Sequence, residues 1–345
     1  MPNPRTQARR HGAIAAAVFL AALAAASPAL GQAKAYVVNR SSQNVTVINL
    51  NSVMVTATIT VGTDPQAVAS NDTRVYVPNQ GSGNVSVINT GTNTVVATVT
   101  VGTLPQGAAA NNSRVYVVNG SSGNVSVIDA TNNTVIATIT VGTNAMGVAL
   151  NSTRGYVANY GSSSVSVINL SNNTVVATVP VTAKPLGIAA NASRVYVTSE
   201  GAPPTVNVID TGSNTVVATI TTGIGLDPRG VALTSNRAYV ANQSSGNVSV
   251  IDTASNTVIA TVTVGSSPWG VAASDDSSRV CVANFGSGNV SVITTSNNTV
   301  ASTVTVGSLP FSLGDFIGPG CVTADSMAPT VSAPAGTTTT QTLCQ

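Results

Sequence analysis

The chain has 345 residues, of which 43% are apolar and only 7% are charged, and its formal net charge is +2. The apolar content suits a globular core, but the charged content lies far below the usual quarter, so Ser, Thr and Asn must keep the surface hydrated. So few charges exclude a strong long-range field that would steer a highly charged partner.

The N-terminal segment, 1–33, predicts an export signal peptide. A basic start that contains Arg5, Arg9 and Arg10 is followed by an apolar run at 13–26, which is too short to span a bilayer comfortably, and by small residues at 31–33 that suit cleavage. The adjacent arginines leave a twin-arginine route open beside the general one. We expect an exported protein, periplasmic, secreted or at the cell surface, with no membrane span after cleavage.

Cleavage after Ala33 changes both the charge and the available chemistry. It leaves 10 Lys and Arg against 11 acids, a net charge of −1, and it removes His11, the only histidine. A near-neutral chain argues against nucleic acid as a partner, because that binding depends on releasing counterions at many basic contacts. A chain without imidazole lacks the base of Ser-His-Asp and Cys-His hydrolases.

A tetrapeptide, Tyr-Val-x-Asn, returns along the rest of the chain at intervals of 40, 40, 40, 40, 43 and 42 residues, counting two variants. A period of this length with strand-like content predicts a propeller or a solenoid. The seven copies begin at Tyr36, Tyr76, Tyr116, Tyr156, Tyr196, Tyr239 and Cys281.

One repeat divides into four predicted strands, A (105–110), B (114–119), C (124–129) and D (133–142). Each is bounded by Gly, Asn, Ser or Pro, most are rich in β-branched residues, and the B–C and C–D links have the composition of hairpin turns. Four antiparallel strands in one repeat make one propeller blade. Strand A carries small residues, which predicts that it lies innermost, and strand D suits the outer edge.

The two ends of the chain predict how the ring closes. The first repeat enters at strand B and the last is followed by a surplus strand A at 310–315. The sequence therefore predicts an all-β, seven-bladed propeller over 34–316, closed by pairing of its N- and C-terminal strands. The tail at 317–345 is of low complexity, and its Cys321 and Cys344 either pair, as exported proteins allow, or stay free.

The pieces Tyr-Val-x-Asn, Asn-Val-Ser-Val-Ile-Asp, Asn-Thr-Val-x-Ala-Thr-Ile and Val-Gly-x-x-Pro-x-Gly-Val-Ala recur over nearly the whole mature chain. They resemble the YVTN family of β-propeller repeats found in surface-layer and YncE-like exported proteins. The resemblance implies a seven-bladed propeller outside the cytoplasm, without one activity common to the family.

Residues that carry chemistry are few. Glu200 is the only glutamate and lies in a divergent repeat, Asp275-Asp276 is a turn pair, and Cys281 replaces a strand-B tyrosine and is predicted to be a buried, inert thiol. No calcium-loop or other metal motif is present. We assign no catalytic residue, no metal ligand and no cofactor.

The repeat generates two rings of candidate binding residues. The first occupies the variable position at the start of strand A, predicted to surround one axial mouth: Gln66, Gln106, Met146, Leu186, Arg229, Trp269 and Phe311. The second stands two residues before each tetrapeptide, on the opposite face: Lys34, Arg74, Arg114, Arg154, Arg194, Arg237 and Arg279. The basic ring either pairs with acids such as Asp129, Asp210 and Asp252 and caps carbonyls between blades, or forms a surface for an anionic partner. The mouth ring is either a ligand site or divergent loop sequence.

We therefore expect an exported, non-enzymatic, monomeric propeller that acts as a binding or scaffold module for an envelope or extracellular protein, or for a small ligand at the mouth. The alternatives are a lactonase-like propeller hydrolase and weak nucleic-acid binding through the basic ring.

Overall fold

The computed structural model describes residues 33–318, which form seven four-stranded antiparallel sheets in a ring and contain no helix. The predicted fold class is confirmed. Within this part of the chain, no helix has the length and apolarity needed to cross a membrane. Positions 1–32 of the predicted export signal, most of the tail, and Cys321 and Cys344 lie outside the described residues.

Each blade orders its strands A, B, C and D from the axis outwards. Blade 1 has β28 (Ile317–Gly318), β1 (Lys34–Asn39), β2 (Asn44–Asn49) and β3 (Met54–Thr60); blade 2 has β4 (Ala69–Ser70), β5 (Arg74–Asn79), β6 (Asn84–Asn89) and β7 (Thr94–Thr100). Blade 3 has β8 (Pro105–Ala110), β9 (Arg114–Asn119), β10 (Asn124–Asp129) and β11 (Thr134–Thr140); blade 4 has β12 (Ala145–Leu150), β13 (Arg154–Asn159), β14 (Ser164–Asn169) and β15 (Thr174–Pro180).

The remaining three blades repeat the same order. Blade 5 has β16 (Pro185–Ala190), β17 (Arg194–Ser199), β18 (Thr205–Asp210) and β19 (Thr215–Ile220); blade 6 has β20 (Pro228–Leu233), β21 (Arg237–Asn242), β22 (Asn247–Asp252) and β23 (Thr257–Thr263); blade 7 has β24 (Pro268–Ala273), β25 (Arg279–Asn284), β26 (Asn289–Thr294) and β27 (Thr299–Thr305). Strands B and C are buried almost throughout, because both faces of a blade pack against its neighbours, whereas strand D at the rim is mostly exposed.

In four blades the tyrosine of the tetrapeptide donates to the C–D turn of the following blade, whereas the hydroxyls of Tyr76 and Tyr156 accept from an asparagine of their own blade. The hydroxyl of buried Tyr239 donates to Asn298 Oδ1 at 2.9 Å, and Tyr116 donates to Asn173 at 3.1 Å, in each case in the C–D turn of the following blade. A buried tyrosine needs such an acceptor. Where Cys281 replaces the tyrosine, the equivalent turn position of blade 1 is Val53, which packs in the same core cluster. Donor and acceptor are thus replaced together.

The asparagine of the tetrapeptide fixes the B–C hairpin from within. Asn119 is fully buried, and its Nδ2 donates to Asn124 Oδ1 at 2.8 Å and to Ser126 Oγ at 2.9 Å. Blade 5 exchanges the two residue types: Ser199 stands on strand B and Asn207 on strand C, 3.5 Å apart, and Asn207 Oδ1 accepts the Thr182 amide at 3.1 Å. The two residue types stay paired, but the serine hydroxyl donates to the asparagine in blade 5, whereas the asparagine donates to the serine in blade 3.

This exchange makes a stability prediction. Asn119→Ser should cost about 1–3 kcal/mol of unfolding free energy, since it leaves buried polar groups without a partner. Adding Ser126→Asn should recover most of that loss, because blade 5 already holds this arrangement. Urea unfolding of the two single variants and the double variant measures the coupling. Strictly additive losses would show that the two positions do not act as a pair.

The ring closes through both chain ends, but not quite as the sequence predicts. Regular pairing is formed by β28 with Lys34 and Ala35, not by residues 310–315. The predicted segment touches β1 irregularly, since Phe311 N donates to Val38 O at 3.0 Å, and just beyond the segment Tyr36 N donates to Phe316 O at 2.7 Å. The reason is that Leu313 turns toward blade 2, where it exchanges backbone hydrogen bonds of 3.1 and 3.2 Å with residues 66–68. Ile317 and Gly318, predicted to begin the tail, therefore belong to the sheet.

Candidate functional site at the axial mouth

The predicted mouth ring lies where strand A begins, close to the axis, and its backbone is drawn tightly together. A Cβ built on Gly107 would stand 2.4 Å from Met146 O, and one on Gly187 would stand 2.0 Å from Arg229 O. Each glycine thus lets its blade reach the mouth-ring residue of the next. The side chains divide into two groups: Gln66, Leu186 and Phe311 are buried, and the other four are half-buried.

A second variable ring, which the sequence analysis missed, surrounds the first. It is the residue directly after the tetrapeptide, at the start of each B–C loop: Arg40, Gln80, Gly120, Tyr160, Glu200, Gln243 and Phe285. We call it the outer ring. The signal was available in the sequence, since this position varies freely beside constant neighbours, as the mouth ring does.

The backbone beneath both rings is the same in every blade. One residue of each D–A loop has a φ between 48° and 60°, and its carbonyl accepts the amide of the outer-ring residue at 2.9–3.2 Å. Left-handed backbone is uncommon outside glycine, so the loop geometry is held against local preference. The seven residues are Asp64, Leu104, Asn144, Lys184, Asp227, Ser267 and Leu309. The mouth is therefore a constant frame that carries variable side chains.

Three aromatic rings form a cluster on one side of the mouth. Trp269 stacks on Phe311 with ring centroids 4.3 Å apart, and Phe285 lies 6.1 Å from Trp269 and 6.0 Å from Phe311. The guanidinium carbon of Arg229 lies 4.5 Å from the Trp269 ring centroid, and that of Arg40 lies 5.2 Å from Phe311. Cations at these distances are attracted by the faces of the rings.

Each of these arginines is held by an acid and by amides. Arg229 pairs with Glu200 at 2.9 Å and donates to Gln243 Oε1 at 2.7 Å, and Tyr160 donates to the same carboxylate at 3.1 Å. The Arg229 side chain is only 11% exposed. Burial, followed by the hydrogen bond to Glu200, raises the pKa of Tyr160. Glu200 therefore holds Arg229 and Tyr160 in place through an ion pair and a hydrogen bond.

The other arginine has the same kind of support. Arg40 pairs with Asp64, and Gln66 Nε2 donates to Asp64 Oδ1 at 2.9 Å and to Gln80 Oε1 at 3.3 Å. The two rings and the D–A loops therefore meet in one network rather than standing as separate residues.

Side chains close the axis at this end. Leu186, Leu313 and Ala67 pack together on the axis, with Tyr160 and Trp269 against them. The indole N–H of Trp269 is buried and has no hydrogen-bond partner among the described residues. A buried donor without an acceptor costs free energy, so the stacking of Trp269 is kept against that cost.

The basic ring on the opposite face makes contacts between blades. Lys34 Nζ donates to Thr90 O at 2.9 Å, Arg114 donates to Leu170 O at 2.6 Å, and Arg74 donates to Asn133 Oδ1 at 3.1 Å, each in the C–D turn of the next blade. Arg237 makes the same kind of contact with Thr295 O, and Arg194 pairs with Asp210 of its own blade. Of the other two, Arg154 and Arg279, each has a buried Nη1 without a hydrogen-bond partner among the described residues. These contacts favour the structural interpretation of this ring.

The acids on that face cap turns. The oxygens of Asp210 and Asp252 accept backbone and side-chain hydrogen bonds from Ser213 and Ser255, which lower the pKa of both carboxyls. Asp129 accepts the amides of the turn that follows it in the same way. Cys281 is buried, and burial raises the pKa of its thiol to about 12, so it is an unreactive core residue.

Comparison with known proteins shows the fold and no closer relationship. No family model matches the sequence, and no curated protein is similar to it. The chain is similar in structure to hydrazine synthase of Kuenenia stuttgartiensis (TM-score 0.66, 19% identity, 73% of this chain and 90% of that one). It is also similar to a functionally unknown protein from Desulfotomaculum acetoxidans DSM 771 (TM-score 0.72, 15% identity, 83% and 99%).

A third similar structure is the dihydro-heme d1 dehydrogenase NirN in complex with DHE (TM-score 0.57, 17% identity), of which the match covers 79% of this chain and 63% of that chain. The prediction that the protein is not an enzyme is contradicted, because two of these similar structures are named as a synthase and a dehydrogenase. That prediction rests on the missing histidine base, which addresses only hydrolases that need one. Identities as low as these transfer neither reaction to this chain.

Proposed function

We propose that this propeller is a binding module whose recognition surface is the mouth formed by the D–A and B–C loops. The proposal rests on one observation: the loop backbone of the mouth is the same in every blade, whereas the side chains that it carries differ. The same backbone hydrogen bond recurs in all seven blades, while the mouth ring and the outer ring differ from blade to blade. A rigid scaffold that presents variable loops is the usual arrangement of a binding surface.

The composition of the mouth indicates the chemistry of its ligand. Arg40 and Arg229 are already paired with acids, so these two side chains offer little free charge to a ligand. The mouth offers aromatic faces and the amide groups of the glutamines. This suits an uncharged or weakly charged ligand with a flat apolar face and hydrogen-bonding groups at its edge.

The predicted export signal and the resemblance of the repeat to the YVTN family support a partner outside the cytoplasm. An extracellular peptide, an oligosaccharide or an exposed segment of an envelope protein would meet the chemical requirements. We propose that the propeller binds it as a monomer, since one ring completes the mouth.

Trp269 provides the assay, because it is the only tryptophan of the chain and lies in the mouth. Peptides and oligosaccharides released from the native envelope are screened by the emission of Trp269, and each ligand found is titrated by calorimetry. Trp269→Leu and Arg229→Gln place in the mouth the residues that Leu186 and Gln66 already supply in other blades. Each should cost about 2 kcal/mol or more in binding, near thirtyfold in Kd, if these residues are anchors.

Two matched controls separate the mouth from other surfaces. Thr98→Ala changes the outer strand of blade 2, and Arg114→Lys changes the basic ring to the residue that blade 1 already has at Lys34. Both should bind like the unaltered protein. Equal losses at Arg114 and at the mouth, or no loss at the mouth, would move the binding surface elsewhere.

A further inference from the structure

The opposite end of the axis holds a cavity of about 230 Å³ that the mouth does not use. Its walls are the last three residues of the inner strands of blades 3 to 7, together with 69–70 of blade 2 and Gly314 and Asp315 of the closing segment. Toward the mouth, the space beside the glycines of strand A has a volume of only about 10 Å³, which is room for about one water molecule. The cavity is therefore blind on that side, and access is from the A–B loops.

The lining offers acceptors and apolar surface. Most side chains are Ala, Val, Leu or Ile, and Asp315 is the one ionisable residue among those that line the cavity. Backbone carbonyls face the axis as well: the oxygens of Val68 and Ala108 lie 2.9 and 3.1 Å from a Cβ built on Gly314. Asp315 is exposed and borders this space, and its Oδ1 accepts the Ile317 amide at 3.2 Å.

The charges around Asp315 reinforce its preference for a cation. Asp275, in the A–B turn of blade 7, acts on it as a like charge, and Asp276 of the same turn is held by Ser274 and Ser278. The nearest paired strand contributes Lys34, but its ammonium donates to Thr90 O of blade 2. The carboxylate thus has a neighbouring acid and no ion pair among the described residues.

We propose that this cavity binds a small organic cation, an ammonium group on a short hydrocarbon chain, with Asp315 as its counter-charge. The ammonium has donors for the carboxylate and the axial carbonyls, and the hydrocarbon lies against the Ala and Val walls. An anion would meet the Asp315 carboxylate as a like charge, and a large ligand exceeds the volume. The ammonium also gives the Asp315 carboxylate the opposite charge that the three salt bridges of the described residues do not supply.

The probe is n-butylammonium, titrated into the full chain at pH 8 by saturation-transfer NMR, beside n-butanol and butyrate of the same length. Butylammonium should bind with one site, butanol at least tenfold more weakly, and butyrate not measurably. Asp315→Asn should weaken butylammonium binding at least tenfold. Asp129→Asn removes one acid from a turn that holds Asn89 and Asn169 in neighbouring blades, so it should fold and bind normally.

A second variant tests the cavity itself. Ala110→Leu combined with Ala190→Leu fills the walls with a residue that Leu150 and Leu233 already place at the same position. It should weaken binding at least tenfold while the unfolding midpoint is retained.

The proton is a competitor, because the protein around the cavity raises the pKa of Asp315 above the usual range of a carboxyl. Affinity should therefore fall as the pH drops through that raised pKa and stay level above it. Absence of butylammonium binding, equal binding by Asp315→Asn, or tighter binding of butyrate would each overturn the proposal.

Discussion

Gly270→Ala should destabilise the propeller by about 3 kcal/mol or more, the effect of forcing an extra atom into a closed contact. A Cβ built on Gly270 would stand 1.9 Å from Ser312 O and 2.9 Å from Phe311 O. Both are backbone atoms, so no side chain can rotate away. Ser312 also belongs to the segment that closes the ring, so the displacement would spread to blade 1.

Urea unfolding followed by circular dichroism measures the loss. Gly91→Ala is the matched control: its nearest neighbour is Asn89 Oδ1 at 3.3 Å, and Ala254 holds the equivalent place in blade 6. It should change stability by a few tenths of a kcal/mol. An unfolding midpoint for Gly270→Ala equal to that of the control would show that the strands are not so close at the axis.

A chain that ends at Gly307 should lose cooperative folding. It lacks Phe311, Leu313, Phe316 and Ile317, each at most 6% exposed. Burying one such side chain contributes about 1.5–3 kcal/mol, so four contribute about 6–12 kcal/mol, as much as the whole stability of a typical domain. The deletion also leaves β1 without its inner partner and opens the ring between blades 1 and 7.

Thermal melts followed by circular dichroism, with size-exclusion chromatography, compare this chain with one that ends at Gly318. The longer chain keeps every described strand and should melt like the full chain. A peptide of residues 308–318 added to the shorter chain should restore part of the transition. A shorter chain that melts at the temperature of the full chain would contradict closure by the C-terminal segment.

At the mouth, the sequence predicts which positions vary but not which side chains contact each other. The variable residue of strand A was found because Trp269 and Arg229 interrupt an otherwise constant stretch. The outer ring varies just as much, but nothing in one dimension shows that Glu200 pairs with Arg229 of the next blade or that Arg40 reaches Phe311 from the other end of the chain. The cavity at Asp315 was beyond sequence reasoning, since its walls come from six blades and from the closing segment.

The sequence by itself determined the number of blades, the order of strands within a blade and the two ends that must meet. The first two depend on runs of β-branched residues and on turn residues, which return in every repeat and can therefore be recognised by comparing the repeats. The third depends on the surplus strand A at the C-terminus. Only the tertiary structure decided how the ring closes, which groups pair between blades, and where the axis is filled or open. Those outcomes depend on contacts between residues far apart in the chain, such as Leu313 with Gln66 and Tyr239 with Asn298, whose geometry no period encodes.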